Sequence, residues 1–181
     1  MKKKRQVLAQ GDRDGACFLY AIANAAGALR GKVITHTQWL KCIRSLPFDM
    51  GDFMAGRGTE KIDWKPHYLE GLCRDFLAAL DVRSEVSWRD ELTSPKQLRN
   101  LLITNQVFVM GVYDDNHWVT VVDAVGETIY AACSSEALDG EREYLETSSP
   151  RLARVYNKQG TLAELRAEKA YGLLISVSHD A

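Results

Sequence analysis

The spacing of apolar residues changes once along this chain of 181 residues, and that change restricts the fold more than any other feature. Up to about residue 104, apolar side chains recur at helical spacing in segments bounded by cap and turn residues. From about residue 105, apolar residues alternate with polar ones or run together over short segments, as they do in strands. Helices followed by an antiparallel sheet make the α+β class. We therefore predict one α+β domain over residues 1–181, with a helical part at about 10–104 and a sheet part at about 105–178.

The predicted helices cover residues 17–29, 35–46, 67–80 and 94–105. Thr35 or Thr37 is the expected N-cap of the second helix, and Ser94 followed by Pro95 begins the fourth. The predicted strands cover 106–115, 117–125, 128–133 and 171–178, with a further short strand at 152–157 and a short helix at 161–170. Residues 47–66, which are rich in Gly and Asp, are expected to form a long loop that helps to line a substrate groove.

Charge and hydropathy exclude several classes of partner. The formal net charge is −1, so binding of nucleic acid through a broad basic surface is not expected. The one basic run, residues 2–5, leads into polar residues rather than an apolar segment, which argues against a signal peptide. No apolar stretch is long enough to span a membrane. We expect a cytoplasmic protein without membrane contact, with export by a signal-independent route left open and the oligomeric state undetermined.

The chain contains four cysteines, and one of them lies where a nucleophile would lie. None forms a C-x-x-C pair and no histidine has zinc-finger spacing, so neither a structural metal nor a cofactor is expected. Cys42 and Cys73 have the apolar helical spacing of core residues. Cys17 instead follows Gly15-Ala16, where a loop becomes a helix. Free N–H groups and the helix dipole favour a thiolate at that position.

A thiolate nucleophile needs a base and an oxyanion donor, and the sequence offers a candidate for each. His117 opens a predicted strand after a polar turn, where its ring would lie at the edge of the sheet. The other three histidines are at predicted helix starts or in the C-terminal tail, which are usual places for surface residues. Gln10 lies seven residues before Cys17. Its amide would donate, with the Cys17 backbone N–H, to a developing oxyanion.

These residues carry a resemblance to a known superfamily. Gln10, the segment "GACFLYAIANA" and the segment "NHWVTVV" resemble the papain-like cysteine peptidase superfamily, which has Gln, Cys, His and Asn or Asp in this chain order. Residues 98–125 resemble its C39-like branch, and "DGACFLYAI" is similar to the signature of OTU-type deubiquitinases, in which Asp14 would belong to the nucleophile loop. The resemblance spans about residues 10–135. It implies a papain-like fold, with the cysteine heading a helix that packs against the sheet that carries the histidine.

The sequence departs from this superfamily at the third catalytic residue. The pattern expects Asn or Asp on the strand after the histidine strand, where this chain has "AACSS", residues 131–135. We take Ser134 as the candidate, since a hydroxyl accepts the imidazole N–H, although it stabilises imidazolium less than a carboxylate does. Asp123 would be about 20 Å along the strand from His117. Cys133, Asp114 and Asp115 are the remaining candidates for this role.

The resulting hypothesis is a thiol hydrolase that cleaves a peptide or isopeptide bond of a protein or peptide substrate. Cys17 would attack the carbonyl carbon, His117 would serve as base and acid, and Gln10 would hold the oxyanion. Trp118 would shield the histidine from water at the binding site. Two further functions remain open: an acyltransferase or glutamine deamidase that uses the same dyad, and a catalytically inactive papain-like module that binds a protein partner.

Overall fold

The computed structural model describes residues 7–10, 16–47, 49, 51–52, 55, 57, 64–103, 105–137 and 155–177. The described residues form four helices: α1 (Cys17–Arg30), α2 (His36–Ser45), α3 (Pro66–Ala78) and α4 (Pro95–Leu101). They also form six strands: β1 (Ser84–Leu92), β2 (Gln106–Val112), β3 (His117–Val125), β4 (Thr128–Ala132), β5 (Lys158–Gly160) and β6 (Ala170–Val177). The predicted α+β class is confirmed.

Local sequence signals set the helix ends. Thr35 caps α2 and Ser94 caps α4, and each forms a reciprocal capping box with a glutamine three residues later. Pro95 occupies the first turn of α4, where the missing N–H costs nothing. Gly31 caps the C-terminal end of α1, with a φ of 70° in the left-handed conformation that glycine adopts readily.

The strands form one antiparallel sheet in the order β1-β6-β2-β3-β4-β5. Strands β2, β3 and β4 are consecutive hairpin neighbours at its centre. Their pairing matches Val112 with His117 at one end and continues through a β-bulge between Val121 and Asp123. The histidine therefore lies at the end of the sheet, directly after the β2–β3 turn.

The two faces of the sheet bury two different cores, as side-chain alternation along β2 shows. Val107 and Val109 pack with α1, α2 and α3, whereas Phe108 and Met110 pack with α4 and the segment before β6. We call these the α1 face and the α4 face. None of the described helices has the length and apolar character needed to cross a membrane.

The structure differs from the sequence prediction in three elements. Strand β1 has no counterpart in the prediction, and it interrupts the predicted helical part. It is an edge strand with a mostly half-exposed and polar burial pattern, so its apolar alternation is weak. The prediction of a helix at 161–170 is wrong. Residues 162–166 form turns, and the φ of 46° at Arg166 is incompatible with a continuing right-handed helix. The strand predicted at 152–157 falls partly outside the described residues, and β5 begins at Lys158 instead.

Candidate active site

Cys17 is the first residue of α1, as predicted, and is half-buried against the core on the α1 face. Among the residues that the structure describes, no side chain caps this end of the helix, and its first turn contains no acidic residue. The partial positive charge of the first N–H groups is therefore not offset by a carboxylate within the helix.

Two contacts hold the start of α1 against the start of β3. The rings of Phe18 and Trp118 meet edge to face with centroids 4.9 Å apart. One turn further along the helix, the Thr120 hydroxyl donates to the carbonyl oxygen of Ala21 at 2.5 Å. The helix and strand therefore run in the same direction at this contact. Cys17 directly precedes Phe18, and His117 directly precedes Trp118. Cys17 and His117 therefore lie at the same end of the sheet.

The imidazole of His117 contacts Cys133. Its Nε2 atom is 3.3 Å from the Cys133 sulfur, which is itself 3.1 Å from the Ser135 hydroxyl oxygen. Cys133 is fully buried, so a substrate carbonyl cannot reach its sulfur in this conformation. Cys133 therefore occupies the position of a group that orients the imidazole, and within the described residues Nδ1 has no hydrogen-bond partner.

Strand alternation places His117 on the α4 face, with Val119, while Trp118 and Thr120 face α1. Within the described residues, no hydrogen bond joins the Cys17 thiol to the His117 ring. The two side chains would therefore have to meet around the end of β3. Catalytic hydrogen bonds in unliganded enzymes are often long and tighten only when substrate binds.

Gln10 and Ser134 contact each other rather than the histidine. The Ser134 hydroxyl donates to Oε1 of Gln10 at 3.0 Å, and the Gln10 backbone N–H donates to the Ser134 carbonyl at 3.2 Å. Ser134 is the sequence candidate for the group that orients His117, yet the residue beside the ring is its neighbour Cys133. Cys133 and Ser134 directly follow β4, and their side chains point to opposite sides of the sheet, so the thiol rather than the hydroxyl faces the ring.

The aspartates considered as orienting groups are engaged elsewhere. Asp114 forms an ion pair with Arg166 at 2.9 Å, and Asp123 accepts from the backbone N–H of Ala124 at 2.8 Å. Asp115 accepts a hydrogen bond from Tyr171. Burial and, to a smaller extent, this hydrogen bond and the charge of Asp115 raise the pKa of the Tyr171 hydroxyl well above its usual value. None of these carboxylates is a hydrogen-bond partner of His117 in the described structure.

The turn before His117 has an unusual backbone. Tyr113, Asp114 and Asp115 have φ values of 55°, 55° and 68°, in the left-handed region that non-glycine residues seldom adopt. Asn116 stabilises the turn by donating from its amide to the carbonyls of Tyr113 and Asp114. Such conformations cost about 1 kcal/mol or more each and persist where the surroundings hold them. This turn fixes where β3 begins and so where the histidine lies.

Of the two residues predicted to line the binding site, Trp118 and Asp14, the structure describes only Trp118. Trp118 is 4% exposed and packs among aromatic rings, so it contributes to the core rather than to an open surface. The exposed aromatic at this place is Trp64, which stacks on Trp118 with centroids 5.9 Å apart and is 47% exposed. Asp14 and most of the predicted loop 47–66 lie outside the described residues. Across the described residues, no cluster of His, Cys, Asp and Glu is arranged to hold a metal ion.

Two buried asparagines hold these residues in place, and sequence reasoning missed the first of them, Asn157. The Asn157 amide accepts from the Cys133 backbone N–H at 2.7 Å and donates to the Cys133 carbonyl at 2.8 Å. Asn24, on α1, accepts from the Leu8 backbone N–H at 2.6 Å and donates to its carbonyl at 3.3 Å. An asparagine in an otherwise apolar helix is the one local signal for these contacts, because a buried amide needs partners.

Comparisons with protein-family models, with curated proteins and with solved structures give no match.

Proposed function

We propose that this chain is a thiol hydrolase of the papain-like kind. Its substrate is a peptide or isopeptide bond. The observation that carries the proposal is the arrangement at one end of the sheet. There Cys17 begins α1, the Phe18–Trp118 contact holds this helix against β3, and Nε2 of His117, the first residue of β3, contacts Cys133. A nucleophile, a base and an orienting group are the parts that such a reaction needs.

The proposed reaction has two steps. The Cys17 thiolate attacks the carbonyl carbon, and the carbon–nitrogen bond breaks as the His117 imidazolium passes its proton to the leaving amine. Water, deprotonated by His117, then hydrolyses the thioester, which releases the acid and restores the Cys17 thiol. Gln10 and the Cys17 backbone N–H donate to the carbonyl oxygen while it carries negative charge. An amine in place of water would give acyl transfer with the same residues.

The test measures alkylation of Cys17 by iodoacetamide, using peptide mass spectrometry, in the wild type, His117→Ala and His67→Ala. His67 is exposed at the start of α3 and serves as the matched control. We expect fast labelling near neutral pH in the wild type and His67→Ala, and a rate at least tenfold lower in His117→Ala. A panel of fluorogenic peptides and ubiquitin-type probes, with Cys17→Ala as the inactive control, then tests turnover. Equal labelling rates in all three proteins would contradict the proposed dyad.

A second candidate function is an inactive papain-like module that binds a protein partner. Two observations favour it: the buried group beside His117 is a thiol instead of an amide or carboxylate, and Cys17 and His117 share no hydrogen bond in the described structure. For this candidate, Cys17 would react at the rate of an ordinary free thiol whether or not His117 is present. The same labelling experiment therefore separates the two functions.

A further inference from the structure

We infer that Ser134 is a positioning residue for Gln10 and acts on the oxyanion rather than on the histidine. This inference rests on the proposed function, because it assigns a role within the same site. Its basis is the pair of hydrogen bonds that join the two residues, one between side chains at 3.0 Å and one between backbones at 3.2 Å. Ser134 is 1% exposed, so water does not compete for its hydroxyl.

The direction of the side-chain bond determines what Gln10 can do. A primary amide has one acceptor oxygen and two N–H donors. Because Ser134 donates to Oε1, the carbonyl end of the Gln10 amide faces Ser134 and the NH₂ end faces away. An oxyanion needs donors, and an amide that was free to turn would present its oxygen part of the time. The Ser134 hydroxyl thus selects the orientation that catalysis requires.

The segment that carries Gln10 is held at a second point. Asn24 binds both backbone groups of Leu8, two residues before Gln10. Residues i and i+7 lie on the same side of a helix, so Asn24 and Cys17 share one side of α1. The chain from Leu8 to Gln10 is therefore docked on the side of the helix that bears Cys17. Backbone docking by Asn24 and amide orientation by Ser134 together fix the glutamine.

Cys133 and Ser134, which directly follow β4, contact different parts of the proposed site. Cys133 points to the His117 ring and Ser134 points to Gln10. A displacement of this short segment would disturb both the base and the oxyanion donor. The arrangement explains why a serine at position 134 is useful although it does not contact the histidine.

The test compares the wild type with Ser134→Ala, Gln10→Ala and the double variant on a peptidyl aminomethylcoumarin that the wild type cleaves. We expect kcat to fall about 100-fold in Gln10→Ala and about tenfold in Ser134→Ala, with KM nearly unchanged. The double variant should be no slower than Gln10→Ala, because Ser134 acts through Gln10. Ser134→Thr keeps the hydroxyl and should restore kcat. Ser45→Ala, which removes a hydroxyl bonded within α2, is the control and should leave kcat unchanged.

A second measurement does not depend on turnover. The ¹⁵N side-chain amide signals of Gln10 should be ordered in the wild type and Ser134→Thr and should acquire free-amide mobility in Ser134→Ala. Iodoacetamide forms no oxyanion, so the Cys17 alkylation rate should be unchanged by Ser134→Ala. Multiplicative kcat effects in the double variant, or an ordered Gln10 amide in Ser134→Ala, would overturn the inference. If the wild type cleaves no probe, the proposed function fails, while the amide signals still decide whether Ser134 orders Gln10.

Discussion

Replacing Asn157 by alanine should destabilise the protein strongly, because its side chain continues the sheet beyond the last residue of β4. The Asn157 backbone N–H donates to the Ala131 carbonyl at 3.0 Å, as in an ordinary ladder. The side-chain amide then supplies both bonds that the next backbone unit would have made, to the N–H and the carbonyl of Cys133. Asn157 is 2% exposed. Alanine would leave two backbone groups buried without partners.

The magnitude follows from the cost of unsatisfied groups. A buried donor or acceptor left without a partner costs about 1–3 kcal/mol. With two such groups, we expect the free energy of unfolding to fall by about 2–6 kcal/mol, against a total of about 5–15 kcal/mol for a domain of this kind. At a urea dependence of about 2 kcal/mol per molar, the midpoint should move by about 1–3 M.

Asn116→Ala provides the matched control. Its amide also makes two hydrogen bonds to backbone carbonyls, but it is exposed, so water replaces the lost donor. We expect a loss below about 1 kcal/mol. Urea titrations followed by tryptophan fluorescence measure both variants. An Asn157→Ala midpoint within about 0.2 M of the Asn116→Ala midpoint, at an unchanged slope of about 2 kcal/mol per molar, would refute the argument that the buried amide completes the ladder.

Three further predictions concern other parts of the molecule. Gly172→Ala should lower the free energy of unfolding by several kcal/mol, because a Cβ there would overlap the Val109 carbonyl oxygen. Gly71→Ala, in open space on α3, should raise it by about 0.5–1 kcal/mol, and thermal melts measure both variants. Burial raises the pKa of the Cys42 thiol to about 11, so the unfolded chain releases this proton at lower pH than the native one, and stability falls as pH rises from about 9 to 11. In urea titrations, the free energy of unfolding of Cys42→Ser should therefore fall between pH 9 and pH 11 by about 2 kcal/mol less than that of the wild type. On the proposed function, Cys133→Asn should raise kcat about fivefold, because an amide oxygen accepts the imidazole N–H better than a thiol does; an unchanged kcat would count against an orienting role for residue 133.

Strong local signals made most of the fold predictable. The capping residues Thr35 and Ser94 place the starts of α2 and α4, and the apolar alternation around Trp118 places β3. Strand β1 was not predicted because only two of its nine residues are buried at the edge of the sheet, which leaves little apolar alternation. The segment at 161–170 has a helical composition and begins one turn, in which Leu165 N–H donates to the Thr161 carbonyl at 3.0 Å. The helix does not continue, because the Leu165 carbonyl accepts a hydrogen bond from the backbone N–H of Tyr113, in the β2–β3 turn, instead of from a residue further along the same segment.

The candidate site shows where prediction from local sequence stops. Cys17 at a helix start and His117 at a strand start follow from short-range patterns, and both positions are confirmed. The partner of the histidine does not follow, because Cys133 and Ser134 are adjacent and small, and no local pattern says which of them faces the ring. That choice is made by Asn157, 24 residues further along the chain, which fixes the backbone of Cys133 after β4 has ended. A contact of that sequence separation belongs to the assembled sheet, so Cys133 facing His117 and Ser134 facing Gln10 are properties of the fold rather than of the segment that contains them.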